Sequence, residues 1–148
     1  MVMDPERIES VKAGTVAAII GTAISFVFVV FDTWLMGQGF TQAWLLHAIQ
    51  RLAVAVVCCF LFGVTYRYIV RQDPNPHLKS GAVGAFALTR SLGQLETLEL
   101  SALSMDQALP IALPIAESFG LFLTVRLVLD WGLKQQWFQP FASNPKST

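Results

Sequence analysis

Four ionisable side chains, Arg51, Arg90, Glu96 and Glu117, stand where the surrounding sequence is otherwise apolar. An unpaired charge at the centre of a membrane helix costs at least about 2.5–3.5 kcal/mol, so each needs a partner or a route to water. Their depths can be counted at about 1.5 Å per residue along a helix. For helices entering near Ser80 and Ala108, Arg90 lies about 15 Å from one surface and Glu117 about 12 Å from the other. In a hydrocarbon core of about 30 Å these levels differ by about 3 Å. The two helices are consecutive and antiparallel, so an Arg90–Glu117 salt bridge is feasible. Arg51 and Glu96 share a level roughly 6–9 Å below the second surface, and Gln94, one turn from Arg90, belongs to the same polar seam. Three roles fit such groups: pairs that fix helix register, a proton or ion relay, and charges that meet another membrane protein. A relay needs several titratable groups along a wet path, and an arginine–glutamate pair alone makes a poor one. Register-fixing is the simpler reading.

Other residues offer weaker chemistry. Arg126, Asp130 and Lys134 are spaced by four on one helix face near a membrane surface. They read as a solvated ladder contributing a few tenths of a kcal/mol per pair, or as a contact for lipid head groups or a partner loop. His47 and His77 fall at opposite surfaces and cannot share a metal ion. Each imidazole could ligate the magnesium of a chlorophyll, although a plain surface histidine is the simpler reading. Cys58 and Cys59 are adjacent and mid-helix, without metal or disulfide spacing, and read as small buried apolar residues. The sequence has no His-Glu-x-x-His, Gly-x-Ser-x-Gly or phosphate-loop motif. Gly81-Ala82-Val83-Gly84 follows a proline turn rather than a strand and reads as helix packing. A non-enzymatic protein without a firm cofactor or metal site is expected, with chlorophyll, carotenoid or lipid contact left open on its surface.

The elements that must position these groups are membrane helices. Of 148 residues, 54% are hydrophobic and 14% charged, well below the roughly 25% charged residues of soluble domains. The net charge is zero and no basic run occurs, which argues against a nucleic-acid partner. The reading is one all-α domain of four transmembrane helices in an antiparallel bundle, with spans at about 13–31, 44–70, 80–100 and 108–133. A polar segment, 1–12, precedes it and a polar tail, 134–148, follows. The run Ala13–Phe31 is charge-free for 19 residues, longer than a signal-peptide core, and is read as an uncleaved span. Gly14, Ala17, Gly21 and Ser25 form one small-residue stripe, and Ser80, Gly84, Ala87 and Ser91 another; such stripes let helix backbones approach in lipid. Pro74 and Pro76 hold the central loop extended and Pro114 should kink the last span. Residues 95–105 alternate apolar and acidic positions and read as the amphipathic end of span 3 or a short surface helix, before a helix start at Ser104-Met105-Asp106-Gln107.

Two signals set the orientation. Arg7, Lys12, Arg67, Arg71, Lys79, Lys134 and Lys146 all fall on the side of the termini and the central hairpin, which places both termini in the cytoplasm or its plastid equivalent. Trp34 and Trp44 mark the far interface, while Tyr66, Tyr68, Trp131 and Trp137 mark the near one.

The central hairpin also carries a resemblance. Phe62-Gly-Val-Thr-Tyr-Arg-Tyr-Ile-Val-Arg-Gln-Asp73 and Asn75-Pro-His-Leu-Lys-Ser-Gly-Ala-Val-Gly-Ala-Phe86 resemble a family of small uncharacterised membrane proteins of cyanobacteria with plastid relatives. Glu6-Arg-Ile-Glu-Ser-Val-Lys-Ala-Gly14 shares that character, and the likeness covers about a third of the chain. It implies a thylakoid membrane and an accessory or assembly role beside a larger complex such as a photosystem. The alternative is a small transporter or channel subunit that uses the Arg90 and Glu117 level. A tight, dry core favours the first, and a wet path past Gln94 and Glu117 the second.

Overall fold

The computed structural model describes residues 5–37, 39–70, 75–96, 108–137 and 139, and it is all helical. Helix α1 spans Pro5–Leu35, α2 Gln42–Val70, α3 Pro76–Leu95 and α4 Ala108–Lys134. Local chemistry sets the ends. Pro5 opens α1, where a missing N–H costs nothing, and Gly37 closes it in the left-handed region at φ 61°. Thr41 Oγ1 accepts the Trp44 N–H at 3.2 Å ahead of α2. Asn75 Oδ1 accepts the His77 N–H at 3.0 Å ahead of α3, with Pro76 as its first residue. At the end of α4 the Gln136 N–H donates to the Leu133 carbonyl at 3.2 Å and the Trp137 N–H to the Gly132 carbonyl at 3.0 Å. This is a Schellman turn with Gln136 at φ 58° in the place glycine usually takes, and the Trp131 and Trp137 rings meet edge-on across it at 4.8 Å between centroids.

Three helices, α1, α2 and α4, are long and apolar enough to cross a membrane. Their burial pattern is compatible with a bundle in lipid. The buried face of α1 is Ser10, Ala13, Gly14, Ala17, Gly21, Ser25, Val29 and Thr33. Its large apolar residues, including Ile19, Phe26, Val27 and Phe31, point outward. A water-soluble fold places such side chains inside; small and polar residues inside with bulky ones outside is compatible with a membrane protein.

The four helices pack as neighbours in chain order, with α4 returning to α1 and α2 touching α4 across the centre. Among the described residues α1 and α3 make no close backbone approach and so occupy opposite corners. The closest seam joins α1 and α2. A Cβ on Gly63 would stand 2.6 Å from the Ala13 carbonyl oxygen and 2.9 Å from Gly14 Cα; one on Gly21 would meet the Cys59 side chain, its Cβ at 2.7 Å. Gly14 is covered by Phe60 and Val64, each 2.8 Å from the place of its missing Cβ. Helix α3 packs on α4, and Phe62, Phe86 and Phe122 bring their rings within 5.1–5.7 Å of one another where α2, α3 and α4 converge.

Several sequence expectations change here. The polar segment before residue 13 is not separate, since α1 begins at Pro5. Helix α3 starts at Pro76 rather than near Ser80, because a proline suits a first turn and Asn75 caps it. Pro114 sits inside α4. The small-residue stripe of α3 splits: Ala87 and Ser91 are buried, but a Cβ on Gly84 would meet nothing within 4 Å. Gly84 is therefore no packing glycine; four-residue spacing marks a face, and Ser80 and Gly84 lie at the outer edge of it. The expected surface helix and the helix start near Ser104 lie outside the described residues, as does most of the tail.

This packing predicts unequal glycines. Gly63→Leu should lower stability by overpacking, by about 1–3 kcal/mol, while Gly84→Leu should melt like the parent. Thermal unfolding in detergent measures both, and equal effects at the two positions would contradict the tight α1–α2 seam.

Candidate functional site

The ionisable residues gather in cross-helix layers separated by the phenylalanine cluster. At the level of the α1–α2 turn, Arg51 of α2 reaches two other helices. Its Nη1 donates to Asp32 Oδ2 at 2.7 Å and its Nη2 to Glu117 Oε2 at 2.6 Å. The guanidinium fork suits this bridging, since it presents donors in two directions at once. Trp44 Nε1 donates to Thr33 Oγ1 at 2.6 Å beside it, closing the turn between α1 and α2. The Arg51 side chain retains 29% of its exposure and the Glu117 side chain 6%, so the carboxylate lies deeper than the cation that holds it.

One layer further in is Arg90 of α3, only 4% exposed. Its Nη1 donates to Ser118 Oγ of α4 at 3.1 Å and its Nη2 to Ser25 Oγ of α1 at 3.4 Å. With its amide oxygen facing the guanidinium, Gln94 accepts from both Nη atoms at 3.2 Å. Arg90 thus spans the diagonal that the α1 and α3 backbones leave open. Glu117 Oε1, Asp32 Oδ1 and Arg90 Nε are buried without a hydrogen-bond partner. Such atoms cost about 1–3 kcal/mol each and mark where the network is incompletely matched.

The partner of Glu117 is therefore Arg51, not Arg90. Depth along the helix axis places Arg90 and Glu117 in neighbouring layers, but the direction in which each side chain leaves its helix hands the carboxylate to α2. Arg51 in turn takes Asp32 and Glu117, while Glu96 is exposed just beyond α3. Asp32 escaped the sequence reading because it ends the charge-free run and resembles a loop acid. Its position at the same surface as Arg51 was the available signal.

At the other end of the bundle, Arg126, Asp130 and Lys134 do not form a simple solvated ladder. Asp130 accepts from Tyr66 Oη of α2 at 2.8 Å and from Lys79 Nζ of α3 at 2.9 Å, while Arg126 Nε stands 3.8 Å away. Asp130 thereby ties three helices, and Lys134 is exposed. Arg67, expected as a flanking surface charge, is instead 2% exposed. It donates to the Glu6 carboxylate at 2.5 Å, the Glu6 carbonyl and Ser10 Oγ at 2.6 Å each, and the Gln139 carbonyl at 2.7 Å. A full guanidinium partner set lets it be buried where a lysine could not. His47 and His77 are both exposed, in the second turn of α2 and the first turn of α3 and so at opposite ends of the bundle.

No protein-family model matches the chain, and no curated protein or solved structure is similar to it.

The geometry separates two couplings. In double-mutant cycles, Arg51→Met with Glu117→Gln should show an interaction of about 0.5–3 kcal/mol, larger than that of Arg90→Met with Glu117→Gln. Unfolding in detergent reads both cycles, and the reverse order would show that Glu117 belongs to Arg90.

Proposed function

We propose that the chain is a four-span integral membrane protein with both termini on the cytoplasmic side, acting as an accessory or assembly subunit of a larger membrane complex. The observation that carries this reading is the division of the molecule's surface. Its mid-helix charges Arg51, Arg90 and Glu117 are turned inward and tied helix to helix, while Ile19, Phe26, Phe31, Leu46, Leu92, Leu127 and other large apolar residues form the outside. A molecule so arranged offers shape and apolar surface rather than a reaction centre. Two surface grooves, one lined by residues such as Ile69, Leu78 and Ala85 and the other by residues such as Ile8, Val11 and Val16, lie away from Glu117.

Helix α3 supplies the fourth span in this reading. Its 20 residues extend about 30 Å, the thickness of the hydrocarbon core, and its Arg90 and Ser91 are buried while Leu88 and Leu92 face outward. The cytoplasmic placement of the termini rests on the lysine and arginine distribution. A cyanobacterial thylakoid and a photosystem as the partner rest on the resemblance of the central hairpin.

A second reading, a small transporter or channel subunit, draws support from the unmatched Oε1 of buried Glu117. A carboxylate in a membrane interior is a common place for a coupling proton or ion.

Probes at either terminus and at Asn75 should report one side and a probe at Gly39 the other; Asn75 and Gly39 on one side would remove the four-span arrangement. Affinity purification of the tagged protein in mild detergent should recover a larger complex. Glu117→Gln should then weaken accumulation or association. A stable Glu117→Gln protein that keeps its partner but loses a proton or ion flux in vesicles would establish the transporter reading instead.

A further inference from the structure

The Asp130 layer holds more positive charge than it uses. Lys79 and Arg126 converge on one carboxylate, which also accepts from the Tyr66 hydroxyl. Arg126 is the under-committed member. Its Nη1 makes a long hydrogen bond of 3.3 Å to Ser80 Oγ, and its Nε lies 3.8 Å from Asp130 with no hydrogen-bond partner. A guanidinium has five N–H donors arranged for two-point contact with a phosphate or carboxylate, and a long hydroxyl bond with a carboxylate at 3.8 Å leaves part of that capacity open. The side chains of Lys79 and Arg126 keep 23% and 19% of their exposure, so both remain reachable from outside. Lys134, one turn beyond Asp130 on α4, is exposed and adds a further positive charge. The first turn of α3, from Pro76 to Lys79, contributes the partial positive charge of a helix N-terminus.

Directly inward from this cluster the surface is apolar and open. Gly84 lies one turn from Ser80 along α3, and no atom stands within 4 Å of where its Cβ would be. Leu88 continues α3 beyond it, while Leu123 and Leu127 are exposed on α4, the helix that packs antiparallel against α3. A cationic cluster at a helix end, with the open surface at Gly84 below it and exposed leucines beyond, has the polarity sequence of a phospholipid.

We propose that Arg126, Lys79 and Ser80 form a binding site for the phosphate of one anionic phospholipid, whose acyl chain passes over Gly84 between α3 and α4. The phosphate replaces Ser80 as the partner of the Arg126 guanidinium and neutralises the charge that Asp130 leaves unbalanced. The site rests on the membrane reading above, because it needs the α3–α4 end of the bundle at a lipid surface.

The test is thermal unfolding of the purified full chain in detergent, titrated with phosphatidylglycerol, with phosphatidylcholine, or with inorganic phosphate. Phosphatidylglycerol should raise the midpoint at roughly tenfold lower concentration than phosphatidylcholine, and inorganic phosphate should not substitute for it. Arg126→Gln should abolish the preference. Gly84→Leu should do so as well while melting like the parent without lipid, which keeps the test decisive if Arg126→Gln folds poorly. Arg7→Gln, a change to an exposed cation on α1, should leave the preference intact. Equal response to the two lipids, a full effect from inorganic phosphate, or a preference that survives Gly84→Leu would overturn the site. A parent chain that stays dispersed without detergent would instead overturn the membrane reading beneath it.

Discussion

Everything in this bundle depends on one arginine holding two carboxylates from different helices. Arg51 gathers Asp32 from the end of α1 and Glu117 from the first half of α4 onto a single guanidinium. Charges in a low-dielectric interior need an opposite charge or hydrogen bonds, and the pairing has value mainly as a specification. A slip of any of the three helices by one residue would leave a carboxylate buried without its cation. The apolar faces of α1, α2 and α4 give little such discrimination, because lipid is as good a neighbour for leucine as another helix is. Register in this molecule is written in charge.

Close approach is the complementary condition. Gly14 and Gly21 on α1 and Gly63 on α2 remove the side chains that would hold the two backbones apart. That closeness lets Asp32 and Arg51 meet across the turn and lets Trp44 reach Thr33. Without it, dispersion contacts along the seam would weaken and the polar residues would be spaced beyond hydrogen-bond range. The phenylalanine cluster does the same work for α2, α3 and α4, with larger groups filling a wider gap.

Much of the architecture was legible because long apolar runs with few charges mark α1, α2 and α4. The extents of α2 and α4 follow the apolar runs closely, and the membership of Arg51, Arg90, Gln94 and Glu117 in neighbouring polar layers follows from counting residues. Who pairs with whom did not follow, because depth is only one of two coordinates. The azimuth of each helix is set by its neighbours, and a single sequence does not state it. Gly21 and Gly84 show the same limit, since both sit in stripes of small residues, yet one is covered by Cys59 and the other is open. Asp32 was missed and Arg67 misplaced for a different reason. Both lie at the ends of apolar runs, where a charge looks like a boundary marker unless its partners are known.

The clamp around Arg67 carries a consequence for the order of assembly. Its acceptors include Glu6, Ser10 and Gln139, residues separated by most of the length of the chain. A ribosome delivers α1 and α2 long before Gln139, so the nascent protein holds Arg67 with its α1 partners while the Gln139 carbonyl is still unmade. The backbone of Gln139 is in turn fixed by Glu9, whose Oε2 accepts its N–H at 3.1 Å. Synthesis of the final turn therefore closes a ring that the first turn opened, and the bundle records in one side chain that its translation has reached the far end of α4.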